Sequence, residues 1–208
     1  MLDSFARRRL DGALKRTAGW LDRPWITPDR LTLLGLGLGV ASAALSAATL
    51  WIPALALWWA SRICDGLDGP LARRRRTKAG GEGSQAGGFL DITADFVVYG
   101  ATVAGVGYGA VASQHASWVP FVLVLLAYYI NGASFLAFSS IAERTGRQLD
   151  DGRSLSFLGG LAEGTETIIV HSLWLLLPAA AAGIAWAWAV VVGISATQRM
   201  VAGYRALR

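Results

Sequence analysis

Residues 31–61 read LTLLGLGLGVASAALSAATLWIPALALWWAS, a stretch without Asp, Glu, Lys or Arg. One membrane-crossing helix needs about 20 apolar residues. With its flanks this stretch is therefore long enough for a hairpin of two helices, broken at Trp51-Ile52-Pro53. Two more uncharged stretches follow, 96–142 and 167–198. The first breaks at Ser113-Gln114-His115-Ala116-Ser117 and the second near Pro178. The expected spans are 31–50, 54–72, 88–111, 118–140, 161–178 and 182–203. This predicts an all-α integral membrane protein with six transmembrane helices.

Composition agrees. Of 208 residues, 54% are hydrophobic and 16% charged, against about 25% charged in soluble proteins. These values exclude a disordered chain and a coiled coil, and a single cysteine, Cys64, excludes a disulfide scaffold. The net charge of +5 does not require nucleic acid, because the basic residues cluster beside apolar runs, where they face an anionic leaflet. Lys and Arg also set the orientation. They crowd residues 1–30, the loop from Arg73 to Lys78, the loop with Arg144, Arg147 and Arg153, and the tail, whereas the three opposite loops are uncharged. Both termini are expected in the cytoplasm, with the chain in the inner (cytoplasmic) membrane. Residues 1–29 lack the apolar core of a signal peptide. Leu2, Phe5, Leu10, Leu14 and Trp20-Leu21 recur there at helical spacing, which predicts an amphipathic juxtamembrane helix on the cytoplasmic surface ahead of a membrane domain at 30–208. The tryptophans Trp51, Trp58, Trp59 and Trp118 fit interfacial belts and lipid-facing packing.

Ionisable groups near a bilayer are costly and mark function. Asp65 and Asp68 stand three apart at the cytoplasmic end of the second helix, and Asp91 and Asp95 four apart at the start of the third. Each pair shares a helical face, so four carboxylates can converge on one cavity open to the cytoplasm. Oxygen-only ligands suit hard divalent ions such as Mg²⁺, Mn²⁺ or Ca²⁺, and four carboxylates can hold two ions roughly 3.5–4 Å apart. Pairing with Arg62 and the arginine run explains Asp65 or Asp68 singly. It does not explain acids set beside Gly66 and Gly69, where missing side chains let a ligand approach the backbone.

Asp65-Gly66-Leu67-Asp68-Gly69-Pro70-Leu71-Ala72-Arg73 and Gly87-Gly88-Phe89-Leu90-Asp91-Ile92-Thr93-Ala94-Asp95 together resemble the signature of the CDP-alcohol phosphatidyltransferases, D-x-x-D-G-x-x-A-R, a spacer, then G-x-x-x-D-x-x-x-D. Every fixed position is present. The spacer, residues 74–86, is longer than is usual in that family, which fits a glycine-rich cytoplasmic excursion. The resemblance implies a six-helix membrane fold, usually a homodimer, in which an alcohol displaces CMP from a CDP-linked lipid. It implies Mg²⁺ or Mn²⁺, two ions per site, bound by Asp65, Asp68, Asp91 and Asp95, with Asp95 also the base. Gly69, Arg73 and Ser84 match positions that bind the CDP portion. Pro28-Asp29-Arg30-Leu31-Thr32 resembles the family's P-N-x-x-T segment, which places Asp29 and Thr32 in the nucleotide site, with Asp29 standing where the family has Asn.

The chemistry matches the residues. Charge spreads over pyrophosphate oxygens during in-line attack, so catalysis is electrostatic and positional. Arg73 can donate bidentate bonds to phosphate, and a placed carboxylate can take the acceptor's proton. Arg74, Arg75, Arg76 and Lys78 are read as serving topology and anionic lipid. Glu163 and Glu166 open the fifth helix, where the dipole favours acids, and they also offer an acceptor pocket its hydrogen bonds. Asn131 and Arg199 are the other candidates for that pocket, against polar packing for Asn131 and snorkelling for Arg199. No role falls to His115 or His171. The donor is read as CDP-diacylglycerol. Among acceptors glycerol 3-phosphate leads, because arginines are at hand; an inositol phosphate, serine and other polyols or lipid alcohols stay open. The rival from another class is a transporter or proton-coupled channel using the same acids, but such sites lie near the bilayer midplane, whereas these acids adjoin a cytoplasmic arginine run.

Overall fold

A computed structural model describes residues 2–79, 85–145 and 162–208 of the chain. Within them lie seven α-helices: α1 (Leu2–Leu21), α2 (Pro28–Ala47), α3 (Trp51–Ala79), α4 (Gln85–Gln114), α5 (Val119–Thr145), α6 (Gly164–Leu176) and α7 (Ala181–Leu207), the last preceded by a 3₁₀ turn at Pro178–Ala180. Among the described residues there is no strand. Ser84 and the arginines at 147 and 153 lie outside the described residues.

Local chemistry explains the boundaries. Thr27 caps α2, its hydroxyl accepting from the Arg30 N–H at 3.2 Å, with Pro28 in the first turn, where no amide donor is needed. A three-residue turn then leads to α3, and Thr49 takes a positive φ of 61° there. Pro53 is accommodated in the first turn of α3 for the same reason as Pro28. Pro70, by contrast, lies inside α3, and its missing N–H deprives the Gly66 carbonyl of the usual helical partner.

Six helices follow α1 among the described residues. Four stretches are long and apolar enough to cross a membrane: α2, α4, α5 and the continuous Pro178–Leu207. α3 has the length, at 29 residues, but carries Arg62, Asp65, Asp68 and the arginine run. The described part of α6 has only 13 residues. Leu34, Val40, Val122, Leu126, Val190 and Ile194 point outward from the bundle, an apolar exterior of the kind lipid covers.

α2 packs along both α3 and α4, α5 packs along α7, and α6 touches α3, α4 and α7. The α2–α4 seam brings backbone against backbone. A Cβ on Gly105 would stand 2.2 Å from the Ala43 carbonyl oxygen, and one on Gly109 would stand 2.2 Å from that of Ser46. Small residues four apart permit such an approach between membrane helices. α5 and α7 instead leave a groove of about 390 Å³ lined by side chains such as Leu126, Ile130, Val190 and Met200. The main core gathers Trp58, Val98, Val106, Phe121, Trp174 and Leu175. Trp58 is thus a correction to the lipid-facing assignment: it is fully buried and donates to the Ser172 hydroxyl at 3.1 Å, while its neighbour Trp59 is 46% exposed.

α1 lies against the motif end of α3. Leu14, Ala18 and Leu21 join Leu31, Leu67 and Leu71 in a second apolar cluster, whereas Trp20 is exposed. An ionic clamp closes the contact. Asp22 pairs with Lys78, with Arg74 Nε at 3.1 Å and with Arg75 Nε at 3.2 Å. Arg75 Nη2 also donates to the carbonyls of Arg23 and Ile26, at 2.7 and 2.8 Å. Three members of the basic run are therefore engaged within the chain rather than kept for lipid alone. Lys78, Arg75 and Arg74 hold the Asp22 carboxyl well below the usual carboxylate range. A depressed carboxylate adds stability that is present above its unfolded value, about 3.9, and lost as pH falls through the folded one. The clamp should accordingly persist across neutral and mildly acidic pH, weaken with salt, and open in Asp22→Asn. Hydrogen exchange of α1 amides checks this: faster exchange in the variant at pH 7 is expected, and unchanged protection would show that the apolar cluster alone holds α1.

Candidate active site

Two helix ends build the site. Asp65 and Asp68 occupy successive turns of α3, and Asp91 and Asp95 successive turns of α4. Each of the four carboxylates lies within range of the others' charge. One acid of each pair, Asp65 of α3 and Asp95 of α4, comes to the same guanidinium. Arg62, one turn before Asp65, donates from Nη1 to Asp95 Oδ1 at 2.6 Å and lies 3.5 Å from Asp65 Oδ2. Asp68, which is buried, accepts from the Thr32 hydroxyl at 2.6 Å. As the side chains stand, no three acids among the described residues gather around a single point. Like charges this close repel, and the neutralising partner in reach is Arg62. Asp95 and Asp65 each keep a second oxygen beyond the guanidinium. The donor set, carboxylate oxygens on two facing helices, fits a hard divalent ion.

The residues expected on the nucleotide side are distributed around these acids. Thr32 is in direct contact with Asp68, which ties the start of α2 to the acids. Asp29 sits exposed in the first turn of α2. Arg73 folds back over Gly69, where an added Cβ would stand 3.2 Å from its Nη1. Gly66 faces α1, with Leu14 Cδ2 3.9 Å from where its Cβ would be.

The other polar candidates are carried by α5, α6 and α7. Arg199, buried on α7, places its guanidinium 5.9 Å from the Phe135 ring of α5. One turn earlier, Ser195 accepts from the Ala162 N–H at 2.7 Å, which secures the entry to α6 beside Glu163. Glu166 lies in the first turn of α6. Asn131, one turn before Phe135, has a buried side-chain oxygen without a hydrogen-bond partner among the described residues. Arg199 is therefore built into the bundle rather than extended toward an interface.

Sequence reasoning missed the support beneath Arg62. Its guanidinium lies over the Trp58 and Tyr99 rings at 5.2 and 5.1 Å. It donates to the Tyr99 hydroxyl at 3.3 Å and to the Ser61 hydroxyl at 3.1 Å. His171, to which no role was given, is fully buried against Trp58 and Trp174, with its Nε2 2.9 Å from the Tyr128 hydroxyl. Trp188 also donates to that hydroxyl, at 2.7 Å. The available signal was Arg62 itself, a cation set in an apolar run one turn before the first acid.

Known proteins resemble this chain over most of its length. The chain is 37% identical over 213 residues to the inner membrane protein YnjF of Escherichia coli, covering 100% of this chain and 98% of that one. It is 29% identical over 164 residues to the phosphatidylinositol phosphate synthase of Mycobacteroides abscessus, covering 74% and 63% of the two chains. Among solved structures, the phosphatidylinositol phosphate synthase of Mycobacterium tuberculosis in complex with manganese and citrate matches with a TM-score of 0.71 at 25% identity, covering 92% of this chain and 88% of that one. The same enzyme with CDP-DAG bound matches with a TM-score of 0.71 at 24% identity, over 92% and 93%, and shares the fold. The family model for CDP-alcohol phosphatidyltransferase matches residues 25–196, which include every acid of the site, and the chain belongs to that family.

Proposed function

We propose that this enzyme transfers the phosphatidyl group of a CDP-linked lipid, CDP-diacylglycerol before others, to a small hydroxyl acceptor with release of CMP. The observation that carries the reading is the meeting of Asp65 from α3 and Asp95 from α4 on one guanidinium, which brings the two halves of the acidic motif to one place. Asp65, Asp68, Asp91 and Asp95 would hold the divalent ions, two of Mg²⁺ or Mn²⁺, and these would neutralise charge on the pyrophosphate. Arg73 grips a phosphate through its fork. Thr32 keeps Asp68 oriented, Gly69 lets Arg73 lie close against α3 on the nucleotide side, and Gly66 borders it where α3 meets Leu14 of α1. Ser84, from the longer loop, belongs to the same nucleotide side, as does Asp29. The acceptor oxygen forms its bond to the lipid phosphorus while the bond to CMP breaks. The electron pair leaves on the CMP phosphate, and the acceptor's proton passes to Asp95.

Asn131, Glu163, Glu166 and Arg199 form the acceptor side. Arg199 favours an anionic alcohol, glycerol 3-phosphate first. The reading includes six crossings, an N-terminal surface helix, both termini and the site in the cytoplasm, and a homodimer in the inner membrane. The test offers purified protein CDP-diacylglycerol with a panel of hydroxyl compounds, follows CMP release, and identifies the lipid product by mass. Release that requires one acceptor and stops with a chelator is expected. No release with any acceptor, or release indifferent to chelator, refutes it.

A further inference from the structure

Arg62 lies outside the acidic pattern, yet it is the group on which the pattern's two halves meet. Its side chain is only 3% exposed, whereas that of Asp95 is 35% exposed. A buried cation of this kind needs partners, and it has them from its own helix and from α4. Trp58 and Ser61 come from α3, and Tyr99 from α4. Ser61 in turn donates to the Gly35 carbonyl of α2 at 2.6 Å, and Trp58 is fixed by Ser172 of α6. The guanidinium is thereby anchored independently of the acids it serves. Through Nη1 it claims Oδ1 of Asp95. An anchored donor on one carboxylate oxygen sets the rotation of the whole group and leaves Oδ2 for the reaction.

We propose that Arg62 is a positioning residue for phosphatidyl transfer, holding the Asp95 carboxylate by Oδ1 so that Oδ2 takes the proton of the acceptor hydroxyl. This rests on the transferase reading above. Lysine would keep the charge but lose the planar fork that stacks on the rings while bonding Asp95, Tyr99 and Ser61 together.

The experiment compares wild type, Arg62→Met, Arg62→Lys and Tyr99→Phe in the CMP-release assay, with kcat, KM for CDP-diacylglycerol and the thermal midpoint read for each. Misplacing a reacting group by about 1 Å costs on the order of 100-fold in rate. Arg62→Met should therefore lose about 100-fold in kcat with KM nearly unchanged. Arg62→Lys should recover part of that loss. Tyr99→Phe keeps the ring and drops one acceptor, so it should lose several-fold in kcat at an unaltered midpoint. Wild-type kcat in Arg62→Met overturns the proposal, as does a kcat loss that follows the thermal midpoint across the set. If Arg62→Met does not fold, wild-type kcat in both remaining variants overturns it. A wild type that releases no CMP with any acceptor defeats the transferase reading instead, and is told apart by that result.

Discussion

Asp95→Asn should leave a folded protein that has lost nearly all transfer activity. The amide is close to isosteric, and its oxygen can still accept from Arg62 Nη1, which lies 2.6 Å from Asp95 Oδ1. Asp65 at 3.5 Å still offers the guanidinium a negative charge. The bundle therefore has little reason to open, and the thermal midpoint should move by a few degrees at most. Chemistry responds differently. An amide cannot take the acceptor's proton, and loss of a general base costs roughly 10²–10⁴-fold. It also brings no charge to a divalent ion, so the loss should fall at the upper end of that range. Single-turnover CMP release from CDP-diacylglycerol measures it directly. A variant within tenfold of wild type would remove Asp95 from the reaction and transfer the base to another acid of the group.

Gly105→Val carries the largest expected loss of stability. Its Cβ would meet the Ala43 carbonyl oxygen at 2.2 Å, with the Ala43 carbonyl carbon at 2.8 Å and Cα at 3.0 Å. Nothing there can rotate away, because all three atoms are main chain. α2 would have to separate from α4. Overpacking a fitted interface typically costs about 1–3 kcal/mol, and a clash between two backbones belongs at or above the top of that range. Gly100 supplies the control. No atom lies within 4 Å of its missing Cβ, and Ala is favoured over Gly in a helix by about 1 kcal/mol. Gly100→Ala should hold or raise the unfolding midpoint in detergent, and Gly105→Val should lower it sharply. Equal midpoints for the two would mean that α2 and α4 are not held by this seam.

The helices were legible because uncharged stretches of this length have few alternatives. Their ends were less so. α3 continues to Ala79, past the expected end at 72, because arginines favour helix as well as leaving the membrane. The acids could be found because spacings of three and four put each pair on one helix face. What surrounds them could not. Two of the partners of Arg62, Asp95 and Tyr99, stand 33 and 37 positions downstream, and those of Asp22 stand 52 to 56 positions away. Only folding brings such residues together, and local pattern carries no record of it. Trp58 and Trp59 show the same limit at adjacent positions. One lies beneath Arg62 and the other faces outward, a choice made by helix rotation within the bundle. His171 was passed over because its partner Tyr128 belongs to a different helix.

The glycine seam between α2 and α4 bears on how a relative of this enzyme would come to use another alcohol. Thr32 and Asp95 are mounted on two rods that touch main chain to main chain at Gly105 and Gly109, so drift in sequence has little purchase on their spacing. The opposite half is joined through replaceable groups, Arg199 over Phe135 and Asn131 a turn away, beside a groove with room to remodel. On the proposed assignment of donor and acceptor sides, descent from a common ancestor would keep the α2–α4 half as cast and rewrite the α5–α7 half, and new acceptor preferences should be sought in natural variants there.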